Sequence, residues 1–195
     1  MSSKPSRSDS AAVGAALQTA RDRVLIAVRA APAAAPVVLI DGRSGAGKST
    51  LARLLVQAWG GPVQLVALDA LYPGWDGLDA GTALARRCIL EAHHRGEPGV
   101  WRRWDWDADA AAEEHTVDPS GPLIVEGSGA LTAVTAPLAD VTVWMDGPES
   151  SRRGRALDRD GDAYRPHWER WARQEARHVA RDRPGELAQV VVEVP

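Results

Sequence analysis

Val37-Val38-Leu39-Ile40-Asp41-Gly42-Arg43-Ser44-Gly45-Ala46-Gly47-Lys48-Ser49-Thr50 decides how this chain is read. An unbroken apolar run leads into a glycine-rich turn that matches G-x-x-x-x-G-K-[ST] in full from Gly42 to Ser49. A helical pattern follows at once, with Leu51, Leu54, Leu55 and Ala58 on one stripe. Strand, loop and helix in that order are what a phosphate cradle requires. The glycines let consecutive N–H groups turn toward one anion, and the helix opening at Lys48 adds its positive end. Gly42, Arg43, Ser44, Gly45, Ala46, Gly47, Lys48, Ser49 and Thr50 are therefore the expected ATP-phosphate set. Lys48 reaches the β- and γ-phosphates as a point charge, and the Ser49 hydroxyl is placed to ligate Mg2+. A chance glycine turn would explain neither the full match nor its flanks. Asp41, just before the loop, reads as a structural hydrogen-bond acceptor.

Outward from this stretch, short apolar runs alternate with helical ones. Val37–Asp41, Val63–Leu68, Leu123–Glu126, Val141–Met145 and Val190–Val194 are continuously apolar, as strands covered on both faces should be. Helices are expected over Lys48–Trp59, Gly81–His94, near Leu131, Arg152–Asp158 and Pro166–Arg181. The alternation predicts an α/β fold, a parallel sheet with helices on both sides. Upstream, Val13, Leu17, Val24 and Val28 recur at helical spacing, and Ala31–Pro36 is a proline-punctuated linker. Residues 1–35 thus read as a polar tail with an accessory helix, and 36–195 as one P-loop domain.

Composition narrows the function classes. The 195 residues carry 23 basic and 26 acidic side chains, net charge −3, so no global basic field exists to hold nucleic acid. Any anion site must be local. No apolar run approaches the roughly 20 residues that span a bilayer. A single cysteine, Cys88, excludes an internal disulfide and agrees with a reducing, cytoplasmic compartment. Eight tryptophans against no phenylalanine, and arginine at 21 of the 23 basic positions, are the compositional oddities.

Beyond the loop, Leu68-Asp69-Ala70-Leu71-Tyr72-Pro73, Val125-Glu126-Gly127 and the arginines at 152–159 together resemble the uridine kinase and phosphoribulokinase group. That group belongs to the nucleoside/nucleotide kinase-like P-loop proteins. The segments YPGWDGL, RRWDW, VEGSGAL and RDGDAYRPHWERWARQE look like small uridine-kinase-like ATP-binding proteins of actinobacteria. The resemblance implies a three-layer sandwich on a five-stranded parallel sheet of order 2-3-1-4-5, with a helical lid. It also implies phosphoryl transfer from ATP, with Mg2+, to a hydroxyl of a small, nucleoside-like acceptor.

Asp69 follows a buried strand at its C-terminal end, where open α/β sheets bind ligands. The resemblance makes it the group that accepts the proton of the attacking hydroxyl, with a turn cap as the competing reading and Asp105 as second candidate. Tyr72, Trp75, Arg103, Trp104 and Asp105 are expected to wall the acceptor. The tryptophans could equally fill core. Glu126 closes a buried strand and is expected to hold Mg2+ together with Ser49. Arg152, Arg155 and Arg159 fall at i, i+3 and i+7 on one helix face. The resemblance places that face over the phosphates, with Arg152 binding ATP and Arg155 and Arg159 acting in catalysis. The competing reading is a solvated face paired with Glu149, Asp158 and Asp160. Gly161 reads as a hinge. The five histidines show no metal-ligand spacing. Three alternatives remain open: a nucleoside monophosphate kinase using Arg86, Arg87, Arg102 or Arg103 for a second phosphate, a secondary-metabolite kinase, and a non-catalytic ATP-binding regulatory module.

Overall fold

The structure, a computed structural model, describes residues 7–195; the polar start of the expected tail lies outside the described residues. Five strands make one parallel sheet: β1 (Val37–Gly42), β2 (Gln64–Ala67), β5 (Leu123–Glu126), β6 (Val141–Asp146) and β7 (Val190–Glu193). Two more, β3 (Gly99–Asp105) and β4 (Ala110–Val117), form a separate antiparallel hairpin. The sheet order is β2-β5-β1-β6-β7. With the hairpin left out of the numbering this is the expected 2-3-1-4-5. All residues of β1 and β5 are buried, as the continuous apolar runs required.

Helices cover both faces. On one lie α1 (Arg7–Ala30) and α2 (Lys48–Ala58), where Leu17, Val24 and Leu25 share a core with Leu51, Leu55, Ile40 and Val143. The accessory helix is therefore a built part of this layer, each fully buried side chain contributing about 1.5–3 kcal/mol. On the other face, Leu39, Val125 and Leu123 pack with Leu78, Ile89 and Trp168. These come from α3 (Leu78–Ala85), the π turn Arg86–Leu90 that runs on into α4 (Glu91–His94), and α6 (Trp168–Asp182). α5 (Glu149–Tyr164) precedes α6 and breaks at Gly161, whose φ of 59° and ψ of −137° are non-helical. A short α7 (Pro184–Leu187) leads to β7.

One expectation is corrected. No helix forms at Leu131. The one near turn is a 3-10 segment at Ala136–Leu138, reached through the side-chain-bonded pair Thr132 and Thr135. The segment Val100–Trp106, to which the sequence assigned no element, is strand β3 and the start of its turn, with a bulge between Arg102 and Trp104. Asp105 Oδ1 closes that turn by accepting the Asp107 and Ala108 amides, both at 3.0 Å.

Candidate active site

The loop leaves β1 at the carboxyl edge of the sheet, between the ends of β5 and β6. Its tight path explains its glycines. A Cβ on Gly45, which has φ +77°, would stand 2.0 Å from the Arg152 carbonyl oxygen. Gly47, at φ +96°, caps α2. Lys48 Nζ donates to the Gly42 carbonyl at 2.8 Å and lies 3.3 Å from both the Arg43 carbonyl and Ser128 Oγ. The ammonium is thus held at the mouth of the loop.

β5 brings Glu126 level with Ile40 on one side and Ala67 on the other. Its carboxyl is 5 % exposed. Burial pushes its pKa up, while the Lys48 charge and the Ser49 hydroxyl hydrogen bond pull against that rise. A buried carboxylate beside a hydroxyl, with one lysine as its cation, has the oxygen donors and the unspent negative charge that suit Mg2+. Among the described residues no cluster of three or more His, Cys, Asp or Glu could hold a metal. Asp69 follows β2 in a 3-10 turn, two residues beyond the position paired with Glu126.

Ser44, Ser49 and Asp69 line one cleft of about 480 Å³ together with Arg53, Tyr72, Trp75, Trp106, Arg159, Asp160, Tyr164 and Trp171. Tyr72 and Trp75, two of the residues named for the acceptor, line this cleft, although the Tyr72 hydroxyl is committed to the Ser128 carbonyl at 2.7 Å. Arg103, Trp104 and Asp105 do not line the cleft. Arg103 is tied across the hairpin to Glu113 at 2.6 Å and along its own strand to Asp105 at 3.2 Å. The Ala108 amide first, and then the Arg103 guanidinium, hold Asp105 below the usual carboxylate range. The hairpin instead sends in Trp106, whose Nε1 donates to the Asp69 carbonyl at 2.9 Å.

The arginine face needs a second correction. Arg152, Arg155 and Arg159 do share a face of α5, but the first two grip the loop itself. Arg152, 3 % exposed, donates to the carbonyls of Ser44 (3.2 Å) and Gly147 (2.9 Å) and pairs with Asp146 at 3.1 Å. Arg155 donates to the Gly45 carbonyl at 2.8 Å and to the Pro195 carbonyl. Only Arg159 reaches the cleft, bonded there to Asp160 at 2.7 and 2.6 Å. Beside the loop, Arg155 Nη2 and Arg43 Nε are buried and make no hydrogen bond. Acceptors on a bound nucleotide would satisfy them.

The sequence reading missed the support supplied by α6. Its buried side begins with Trp168 and Trp171, and the polar Gln174, Glu175 and His178 continue it. Glu175 Oε1 accepts the Ser44 amide (2.7 Å), the Ser44 and Ser128 hydroxyls (both 2.8 Å) and Trp171 Nε1 (3.1 Å). His178 lies between two carboxylates, Nε2 at 2.8 Å from Asp41 and Nδ1 at 2.9 Å from Asp182. Asp41 in turn takes the amides of Gly42, Gly129 and Leu131 at 2.6, 2.9 and 2.9 Å. The only signal in the sequence was polar residues at i+3, i+4 and i+7 from Trp171, on the face that Trp168 and Trp171 mark as buried.

This arrangement gives a pH prediction. Burial opposes charge on His178, but the hydrogen bonds to Asp41 and Asp182 outweigh it, so its pKa is raised above the ordinary value. A raised folded-state value means a stabilising contribution that is full below about pH 6.5, the unfolded value, and is lost as pH rises through the folded one. Urea unfolding should show stability falling as pH rises above about 6.5, a fall that His178→Gln removes. An unchanged slope in the variant would contradict the assignment.

No protein-family model matches the chain. No curated protein matches it either. Solved structures do. A possible uridine kinase from Bacillus stearothermophilus superposes with TM-score 0.66 at 20 % identity, covering 90 % of this chain and 98 % of that one. A candidate fructose transport system kinase from a Silicibacter species gives TM-score 0.55 at 22 % identity, covering 88 % and 98 %. Among the described residues no helix is long and apolar enough to cross a membrane. The likeness is one of architecture: this chain has the fold of the P-loop kinases.

Proposed function

We propose that the chain is an ATP- and Mg2+-dependent small-molecule kinase. One observation carries the reading: the loop residues Ser44 and Ser49 and the exposed carboxylate of Asp69 line the same cleft. A nucleotide on the loop would therefore present its terminal phosphate to a hydroxyl held at Asp69. The acceptor oxygen bonds to the γ-phosphorus, the bond from that phosphorus to the β,γ-bridging oxygen breaks, and the hydroxyl proton passes to Asp69. Lys48 and Arg159 neutralise the charge on the phosphates, and the loop amides fix their position. Ser49 and Glu126 would hold Mg2+, which when bound adds neutralisation across the β- and γ-phosphates. Arg152 and Arg155 act through the loop whose carbonyls they hold.

The sequence resemblance supports a nucleoside-like acceptor. A nucleoside monophosphate kinase would need free arginines for a second phosphate, yet Arg103 is spent on Glu113 and Asp105, and Arg86 pairs with Glu91 at 3.5 Å. None of Arg86, Arg87, Arg102 and Arg103 lines the cleft. A purely regulatory ATP-binding module gives no reason for an open carboxylate at the phosphate end.

The test is a panel of nucleosides, nucleoside monophosphates and metabolite alcohols with ATP and Mg2+, read by mass spectrometry for a product about 80 Da heavier, one phosphoryl group added. Asp69→Asn should lower turnover about 10²–10⁴-fold, the usual contribution of a proton acceptor, while ATP still binds. Full activity in Asp69→Asn would overturn the base assignment. Absence of any phosphorylated product would favour the regulatory module.

A further inference from the structure

Glu175 carries a charge that its immediate contacts do not explain. The residue is 3 % exposed. Its four hydrogen-bond donors are the Ser44 amide, the Ser44 and Ser128 hydroxyls and the Trp171 indole, all of them uncharged. A glutamine oxygen would accept from the same four groups without the cost of burying an ionised side chain. Fastening the loop to α6 is therefore no reason for a glutamate.

The hydrogen bonds that lead outward from Glu175 end on a cation. Ser128, in the turn after β5, is 4 % exposed. Its single hydroxyl proton has two acceptors in reach, Glu175 Oε1 at 2.8 Å and the Gly42 carbonyl at 3.0 Å. The carboxylate is the stronger acceptor. The Ser128 oxygen in turn accepts from Lys48 Nζ at 3.3 Å. A hydroxyl between a carboxylate and an ammonium is polarised by both, so the two charges attract through it. With no charge on Glu175, the Ser128 proton would have the Gly42 carbonyl as its alternative, and Lys48 already uses that carbonyl at 2.8 Å. The serine would then compete with the lysine instead of receiving it.

We propose that Glu175 is a positioning residue for phosphate binding: acting through the Ser128 hydroxyl, it holds the Lys48 ammonium where the phosphates of a nucleotide arrive. The proposal rests on reading the loop as a nucleotide site and names what orients its lysine. A long side chain loses rotamer freedom when it grips an anion, and an ammonium fixed beforehand has already met part of that cost. Glu175 touches no phosphate in this role, and its influence reaches the nucleotide only by way of Ser128 and Lys48.

The test uses the full chain, whose only lysines are Lys4 and Lys48. With 15N placed at the lysine Nζ, the ammonium signal that disappears in Lys48→Ala is that of Lys48. In the protein without nucleotide, Ser128→Ala should speed exchange of the Lys48 ammonium protons with water about tenfold, the lower end of what a hydrogen bond to a charged group is worth. Glu175→Gln should speed it about threefold, because a charge-assisted bond is roughly twice as strong as a neutral one. Calorimetry with ATP and Mg2+ gives the second readout. Ser128→Ala should weaken ATP binding about fivefold, within the range for immobilising one long side chain. Introduced into Lys48→Ala, the same change should leave the affinity within twofold, since nothing remains to be positioned. Unchanged Lys48 exchange in both variants would overturn the proposal and leave Glu175 as a fastening of the loop. So would an equal loss of ATP affinity with and without Lys48. Should Glu175→Gln fail to fold, Ser128→Ala and its double variant decide alone. If the parent takes up no ATP, the nucleotide reading falls and this role with it, whereas loss of the lysine effect with ATP still bound removes this role only.

Discussion

Lys48→Ala is expected to abolish measurable phosphoryl transfer, with a loss of about 10³-fold or more, because the missing charge faces the phosphates as negative charge develops. The alanine removes the only lysine among the described residues, while the carbonyls of Gly42 and Arg43 keep the Ser128 hydroxyl and the Ala46 amide as donors. Affinity for ATP should fall about 10–100-fold, the worth of one charge-assisted hydrogen bond. Affinity for adenosine, which carries no phosphate, should not move. Calorimetry on the two ligands separates a lost phosphate contact from a damaged fold. If both affinities fall together, Lys48 is holding the loop rather than the nucleotide.

The second large effect lies behind the loop. Asp41→Ala should destabilise the chain by about 3–5 kcal/mol, the usual result of leaving one member of a buried ion pair alone. Asp41 is fully buried, and its loss strands three amides and one face of His178. The three amides begin the loop and the turn after β5, so nucleotide affinity should fall with stability. Asp41→Asn keeps one acceptor oxygen and should cost less. Urea midpoints of the two variants against the parent decide this, and near-parental stability in Asp41→Ala would refute the network.

What could be read from the sequence follows interaction range. The five core strands and the loop are local patterns, an apolar run or a glycine spacing, and their order came with the resemblance. The hairpin was not legible. Its strands alternate Trp101, Arg102, Arg103 and Trp104 with a bulge, and neither the period of a half-buried strand nor a two-residue turn signal survives that interruption. Nor could Glu175 and His178 be assigned, because their partners Ser44 and Asp41 lie 131 and 137 residues away. The arginine series shows both sides. The i, i+3, i+7 spacing put 152, 155 and 159 on one face, but only the fold reveals that the first two address backbone carbonyls.

The accessory helix has a consequence for how the molecule is made. Leu17 approaches the loop itself, its Cδ2 at 3.2 Å from where a Cβ on Gly47 would stand, and Arg23 donates to the Val191 carbonyl of β7 at 3.0 Å. A segment translated before the loop thus lacks part of its packing until β7 has been synthesised. The back wall of the phosphate cradle should close late in biosynthesis, as high contact order dictates. Ribosome-stalled chains ending before Val190 would then leave α1 open to protease, and release of the last strand would protect it.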